Sequence, residues 1–377
     1  MKSVKKIKVL ECIRQGKIGG GESHLLSLVE NMDRDRFEPV VLSFTPGPMV
    51  DRLQELGVRT HVIHSEKPFD FSVWKKVRKL LEQEQVDLVH AHGTRANSNV
   101  LGPARKLKLP VIYTIHGWSF HNDQPVWVRN LRAWGEKYLT RRSTVNISVS
   151  RSNQETGYQH FRGFKSMVIN NGIDPKKFNP DAGYPDIRAS FGILSHAVLC
   201  SFIARFTHQK QPLVMIRAFE KVATAHPSLY LLLVGDGELK EEMEKAIAQS
   251  PVRNRIILSP PRSDIPALLA ATDIFVLPSL WEGLPIALLE AMAMGKSIIA
   301  TAADGTREIL VHEENGYLIP IEGLEENLAA SLDRLVLDPD LRKKIGNGAR
   351  ATITEKFDAG KMTRQVEKVY TEILEIK

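Results

Sequence analysis

The segment Ser279-Leu-Trp-Glu-Gly-Leu-Pro-Ile-Ala-Leu-Leu-Glu-Ala-Met-Ala-Met-Gly295 decides the architecture of this chain. The apolar run Asp273-Ile-Phe-Val-Leu-Pro278 precedes it and reads as a buried strand. Glu282-Gly283-Leu284-Pro285 then turns into a helix. Pro285 suits the first helical position, where its missing N–H would have been an orphan donor. The amides on either side point out of a helix N-terminus, an end that carries roughly half a positive elementary charge and binds phosphate. Glu282 lies at the mouth of the turn and Glu290 about one turn into the helix. A pyrophosphate at this end would leave Glu290 near an attached ribose and Glu282 near whatever the second phosphate carries. Such a layout can hold a nucleotide-sugar.

Outward from this segment, short β-rich runs alternate with amphipathic stretches. Strands are predicted at Ile7–Ile13, Pro39–Phe44, Arg59–Ile63, Asp87–Ala91, Val111–Ile115, Val145–Val149 and Met167–Ile169. Helical patterns at Ser23–Met32, Ser72–Glu84 and Val126–Thr140 lie between them. The scheme repeats with strands at Val198–Ile203, Leu229–Val234, Arg255–Leu258, Ile274–Leu277 and Ser297–Ala300. Strands separated by helices imply βαβ units and parallel sheets, so the fold class is α/β with two doubly wound domains. A chain of 377 residues fits two domains of roughly 150–200 residues each. Asp174-Pro-Lys-Lys-Phe-Asn-Pro180 and the Gly183-Tyr-Pro185 that follows read as the linker. Ligands of doubly wound sheets sit at the carboxyl ends of strands, so a cleft between two facing domains is the expected site.

Charge is unevenly shared. Residues 1–180 carry 29 Lys and Arg against 17 Asp and Glu, and the remainder carries 22 against 27. A basic half suits nucleic acid, an anionic membrane surface or an acidic substrate. With no zinc pattern and no aromatic ribonucleoprotein motif, nucleic acid is the least supported partner. Cys12 and Cys200 each lie in an apolar strand-like run and read as buried free thiols of a reducing cytosol. Lys8 and Glu11 interrupt the first apolar run, which reads as a strand and not as a signal peptide. Nothing approaches the roughly 18 apolar residues of a spanning helix. The expectation is a soluble cytoplasmic protein, at most peripheral on the inner face of the cytoplasmic membrane.

The segment 279–295 resembles the signature of the family 4 retaining glycosyltransferases, in which two glutamates have seven residues between them, the first within Pro-Ser-x-x-Glu-Gly-Leu-Pro. Further matches follow in the family's order: Gly19-Gly20-Gly21, Asp87-Leu-Val-His-Ala-His92, Thr114-Ile-His-Gly117, Ile169-Asn-Asn-Gly-Ile-Asp174, Ile203-Ala-Arg-Phe-Thr-His-Gln-Lys210, Val234-Gly-Asp-Gly237 and Asp304-Gly-Thr-Arg-Glu308. The resemblance covers nearly the whole chain and implies the GT-B architecture of two Rossmann-like halves. It implies an acceptor-binding domain at 1–180, a nucleotide-sugar-binding domain at 181–355, and a helix at 356–377 that crosses back to the first domain. The activity it implies is transfer of a hexose or N-acetylhexosamine to a glycan or lipid-linked hydroxyl. A UDP-sugar is the first expectation for the donor and guanosine diphosphate mannose the second. A bacterial cell-surface polysaccharide or glycolipid pathway is the implied setting.

Site roles follow from the same resemblance. Arg205 and Lys210, after the first strand of the second half, bracket the diphosphate and stabilise the leaving charge; Gln211 stands where a glycine commonly follows the lysine. Glu290 takes the ribose hydroxyls, since a carboxylate is acceptor-only and can take two donors. Glu282 contacts the donor sugar, and Gly283 and Leu284 supply amides. Gly19, Gly20, Gly21, Gly235 and Arg262 complete the donor set. His116 lies near the anomeric centre, and His92, His116 and Asn171 bind the acceptor. The catalytic group is thus His116, Glu282, Arg205 and Lys210.

Plainer readings stand beside these. The glycine loop can be a tight turn, and it is no NAD site, because His24 replaces the third glycine and no acidic residue ends the second strand at Phe44. Arg205 and Lys210 can be a solvated pair and His116 a backbone-satisfied core residue. Glu290, among apolar Leu288, Leu289, Ala291 and Met292, needs a partner. His90 and His92 are expected on opposite sides of their strand and unable to share a metal. Asp33-Arg-Asp35 and Asp338-Pro-Asp340 fall in turns, so no metal and no cofactor are expected. Trp74, Lys75, Lys76, Arg78 and Lys79 on one helical segment, and Trp127, Arg129, Arg132, Trp134, Lys137, Arg141 and Arg142 on another, form either a face for an anionic membrane or solvated basic faces with inward tryptophans. The competing functions are a nucleotide-sugar epimerase or hydrolase of the same architecture and a non-catalytic sugar-binding subunit.

Overall fold

The computed structural model describes residues 5–16, 19–121 and 123–375. The first four residues of the expected first domain and the last two of the expected last helix lie outside them. Two compact units emerge, one made of Met1–Gly172 with Ala359–Lys377 and the other of Ile173–Asp358. The division thus precedes the expected boundary at 180. Ile173 bridges Asp358 and donates its amide to Phe357 O at 2.8 Å, and Phe178 is buried, which ties the start of the expected linker into the second unit.

The first unit holds β1 (Ile7–Ile13), β2 (Phe37–Ser43), β3 (Arg59–Val62), β4 (Leu88–His92), β5 (Val111–Ile115), β6 (Val145–Ser148) and β7 (Met167–Val168). The second holds β8 (Val198–Ile203), β9 (Leu229–Val234), β10 (Ile256–Ser259), β11 (Ile274–Leu277), β12 (Ser297–Thr301) and β13 (Tyr317–Ile319). Every pairing between them is parallel. The orders are β3-β2-β1-β4-β5-β6-β7 and β10-β9-β8-β11-β12-β13. A parallel sheet is covered on both faces, so its central strands are apolar throughout. Val9 to Ile13 of β1 and Leu231 to Val234 of β9 are buried without a break. Each fully buried Leu, Val, Ile or Phe contributes roughly 1.5–3 kcal/mol. Edge strands are short, as unpaired edges favour.

In both sheets the strand order reverses beside the first strand, at β1/β4 and at β8/β11. Neighbouring loops therefore leave in opposite directions and open a crevice at the strand ends. Gly93, at φ +80°, makes the turn from β4 into the helix Thr94–Lys106, a backbone region that favours glycine. Gly235 has a different reason: a Cβ there would lie 2.0 Å from Ala204 O, because the β9 turn packs on the β8 turn.

The last helix, Ala359–Glu375, belongs to the first unit. Met362, Val366, Val369, Tyr370 and Ile373 recur at helical spacing and pack with Val9, Leu28, Phe37, Leu88, Ile112 and Ile147 in one core. Among the described residues no helix is long and apolar enough to cross a membrane. Tyr370→Ala should lower the unfolding free energy by about 3–5 kcal/mol, as removal of a buried aromatic does. A urea midpoint unchanged from the parent would show that this helix is not part of the core.

Candidate functional site

In the second unit the β8 and β11 loops are fastened together. Leu280 N donates to Gln209 O at 2.9 Å, and Gln209 Nε2 donates to Trp281 O at 2.7 Å. Lys210 Nζ and the Glu282 carboxylate form a mostly buried ion pair across the same junction. Arg205, also after β8, is exposed. The helix that follows is Ile286–Ala293, with Pro285 as its extended N-cap residue, one position earlier than the sequence suggests. Gly305 backs this turn: a Cβ on it would lie 1.6 Å from Gly283 O, so only glycine lets the β12 loop pass behind Gly283 and Leu284. Leu284 is buried.

Glu290 lies on the second turn of that helix with buried Leu288, Leu289, Ala291 and Met292 around it. Burial pushes its carboxyl up to about 7, with Lys177 opposing. The other expected donor residues are placed differently. Arg262 forms a two-pronged pair with Asp264, at 2.8 and 2.5 Å, and its guanidinium lies over the Phe191 ring. Gly235 serves the close packing of two turns described above.

The first unit carries a buried polar cluster at its own reversal point. Glu11 of β1 faces His90 and His92 of β4, with Glu11 and His90 in register. The Glu11 carboxylate receives Tyr370 OH at 2.7 Å and His92 Nε2 at 2.9 Å, and His90 Nδ1 lies 3.1 Å away. His90 also meets Tyr370 OH at 2.6 Å and Thr114 Oγ1 at 2.7 Å. His92 Nδ1 lies 3.2 Å from His116 Nε2. The expectation that His90 and His92 face opposite sides is therefore wrong. Side chains alternate between faces with a period of two, so residues two apart share a face. Their rings are 4.1 Å apart, and both touch Glu11.

Electrostatics sorts these groups. Burial raises the Glu11 carboxyl, but the charge and hydrogen bonds of His90 and then His92 outweigh it and hold Glu11 well below the usual carboxylate range. Burial lowers His92 to about 4 and His24 to about 3, and it holds His116 well below the ordinary histidine value. His24, His92 and His116 are thus neutral beside this carboxylate at neutral pH. The helix after β1 starts at Gly20, earlier than expected, and Gly19 is its extended N-cap residue. A Cβ on Gly21 would touch His116 Cδ2 at 3.6 Å, so the glycine turn and His116 are neighbours. Asn171 is buried and stands beside His24.

Of the residues named from sequence, the structure brings Lys210 to Glu282 and His92 to His116, pairings the sequence did not specify; Glu11, His24, Gly305 and the hydroxyl of Tyr370 were not among the expected site residues. Asp33 and Asp338 are engaged in local turns, accepting from Asp35 N and Leu341 N at 3.0 and 2.8 Å. Both cysteines are buried and free.

Residues 184–352 match the family described as Glycosyl transferases group 1, and residues 18–177 match that described as Glycosyltransferase Family 4. An Escherichia coli protein named UDP-Gal:alpha-D-GlcNAc-diphosphoundecaprenol alpha-1,3-galactosyltransferase is 26% identical, with 98% of each chain covered. The N-acetyl-alpha-D-glucosaminyl L-malate synthase of Bacillus anthracis is 25% identical over 85% of this chain and 84% of its own. The crystal structure of Anabaena HepE in complex with UDP-glucose superposes with a TM-score of 0.85 at 24% identity, covering 97% of this chain and all of the other.

Glu290 supplies a test of the geometry that needs no ligand. Its folded pKa near 7 exceeds the ordinary 4.5. The unfolded chain therefore loses this proton first as pH rises. The associated stability is fully present below about 4.5 and is lost as pH climbs through 7, by no more than about 3 kcal/mol. Glu290→Gln should flatten that decline in urea titrations from about pH 4 to about pH 8, a range that spans the window. An identical slope in the variant would place the carboxylate in water.

Proposed function

We propose a donor, an acceptor class and residue roles on one premise: the chain belongs to the family 4 glycosyltransferases and has their GT-B fold. The reading is transfer of a hexose or N-acetylhexosamine from a UDP-sugar to a hydroxyl of a lipid-linked glycan, with retention of configuration. The observation that carries it is the Lys210–Glu282 pair, which joins the β8 and β11 loops at the reversal point and at the mouth of the helix 286–293. A doubly wound sheet binds its ligand there. An ammonium has three donors, so Lys210 can keep Glu282 and still take a phosphate oxygen. Arg205 and the Gly283 and Leu284 amides complete the diphosphate cradle. Glu290 accepts from the ribose hydroxyls, and Glu282 from the sugar.

The chemistry then balances without a further base. The acceptor oxygen bonds to the anomeric carbon while the bond from that carbon to phosphate oxygen breaks. The electron pair leaves on the diphosphate, where Lys210 and Arg205 stabilise it. The acceptor proton passes to the departing phosphate. His116 is positioned by His92, which Glu11 orients in turn, to stabilise positive charge at the anomeric centre. Fixed cations and amides take the place of a metal ion. The Escherichia coli relative's name pairs UDP-galactose with a diphosphoundecaprenol acceptor, which favours UDP-galactose as the first donor to try.

The acceptor's lipid implies a place at a membrane, and the helix Val126–Arg142 fits it. Trp127, Leu131 and Trp134 are 72, 61 and 66% exposed and recur on one stripe with Tyr138. Arg132, Arg141 and Arg142 are exposed beside them. On the other basic segment Trp74 instead packs inward on Gly102. An exposed aromatic stripe flanked by cations suits an anionic bilayer, each cation adding about 1 kcal/mol.

The test mixes labelled UDP-galactose, UDP-glucose, UDP-N-acetylglucosamine and GDP-mannose with and without a polyprenyl diphosphate sugar. Acceptor-dependent nucleotide release that persists in EDTA is expected. Lys210→Ala or Glu290→Ala should reduce kcat/KM by about a hundredfold or more. Turnover without acceptor would point instead to an epimerase or hydrolase, and no turnover with tight sugar binding to a binding subunit. For the membrane, the protein should co-sediment with phosphatidylglycerol vesicles but not with phosphatidylcholine ones, and Trp127→Ser with Trp134→Ser should release it. Equal binding to both lipids, or by the double variant, refutes the docking face.

A further inference from the structure

Among the described residues, two groups in the first unit place three metal-ligating side chains within 4.8 Å of one another: Glu11, His90 and His92, and His24, His92 and His116. The first group is already saturated. His90 uses one ring nitrogen on Glu11 and Tyr370 and the other on Thr114, and His92 Nε2 is taken by Glu11.

The second group is different. His24 is 2% exposed, and outside the cluster Asn171 is the polar side chain that engages its ring, which leaves one of the two buried ring nitrogens without a hydrogen bond. Its ring stands 4.8 Å from that of His116 and 5.4 Å from that of His92, centre to centre. Buried polar atoms without a partner are rare and call for an explanation, an unseen ion being one. His92 Nδ1 and His116 Nε2 lie 3.2 Å apart. Two imidazoles bound at about 2.0–2.1 Å to a tetrahedral ion would separate their nitrogens by about 3.3 Å. Behind His92, Glu11 accepts from Nε2, which leaves the Nδ1 lone pair directed at His116. A carboxylate behind a ligating imidazole is the usual second support of a histidine metal site.

A hydrogen bond shared by His92 and His116 accounts for those two rings alone. It leaves the second ring nitrogen of His24, the one Asn171 does not engage, without a role. A divalent ion accounts for all three.

We propose that one ring nitrogen of His24, Nδ1 of His92 and Nε2 of His116 form a three-imidazole site for a borderline divalent transition ion of the zinc type, with its fourth position open. The buried Glu11 carboxylate offsets part of the ion's charge. An ion there takes up the His116 lone pair, so occupancy inhibits transfer, and the enzyme stays active when the ion is stripped. The inhibition rests on the role given above to His116, whereas the binding does not.

The experiment uses the full chain, stripped with EDTA and dialysed, titrated with Co(II) and read by its visible absorption. An intense tetrahedral band saturating at one equivalent and displaced by Zn(II) is expected. His24→Ala should abolish the band, and Glu11→Gln should weaken Zn(II) binding about 10–100-fold in competition with a chromophoric chelator. Circular dichroism melts check that each variant is folded. Should His24→Ala unfold, the partly exposed His116→Ala gives the same reading. No band, a weak octahedral band, or a band that survives in a folded His24→Ala or His116→Ala overturns the site. Zn(II) should also inhibit acceptor-dependent turnover with the same midpoint. A band without inhibition keeps the ion site and removes His116 from catalysis; turnover lost in EDTA refutes metal-free transfer.

Discussion

A parallel sheet buried on both faces has nowhere to display chemistry except where its strands end. In each unit that constraint acts most strongly at one place, the pair of strands beside which the order reverses. The β8 and β11 loops meet there in the second unit, and Lys210 and Glu282 neutralise each other across the junction. β1 and β4 meet there in the first unit, where Glu11 contacts the ring nitrogens of two histidines in full burial. Both candidate centres follow from strand order before any single residue is considered. The residues decide only what each crevice can hold.

The two centres solve opposite electrostatic problems. On the reading proposed above, the second unit receives a diphosphate beside exposed Arg205 and the Lys210–Glu282 pair, where the turn behind is kept thin by Gly305. The first unit must keep a carboxylate ionised inside a protein core. A bare buried anion is expensive, and the network around Glu11 answers with one tyrosine hydroxyl and two imidazoles. Fixing that carboxylate also fixes the tautomer and orientation of His92, and through it the ring of His116.

Much of the fold was legible because parallel strands are written as unbroken apolar runs. The bounds of β1, β5, β8, β9 and β11 coincide with those read from the runs themselves. The strand β13 escaped because it has three residues and follows the polar Glu313-Glu-Asn-Gly316. Local motifs could nominate Lys210 and Glu282, since each sits in a turn with a recognisable pattern. Glu11 carried no such mark. In the sequence it only interrupted an apolar run, and its partners come from β4 and from the last helix. His24 registered merely as a missing glycine. Pairing across a sheet, rather than spacing along the chain, is what gives these residues their chemistry.

The bond from Tyr370 to Glu11 links residues 359 apart, across a unit whose whole sequence lies between them. On the ribosome, β1 is therefore made before the whole of the second unit and its hydroxyl partner after it. The inserted unit, Ile173–Asp358, is continuous and can close as soon as it emerges, whereas the outer unit must wait for its final helix. Chains cut short before Tyr370 would leave the Glu11 carboxylate without its hydroxyl donor and the first unit's core open, while the second unit would be whole.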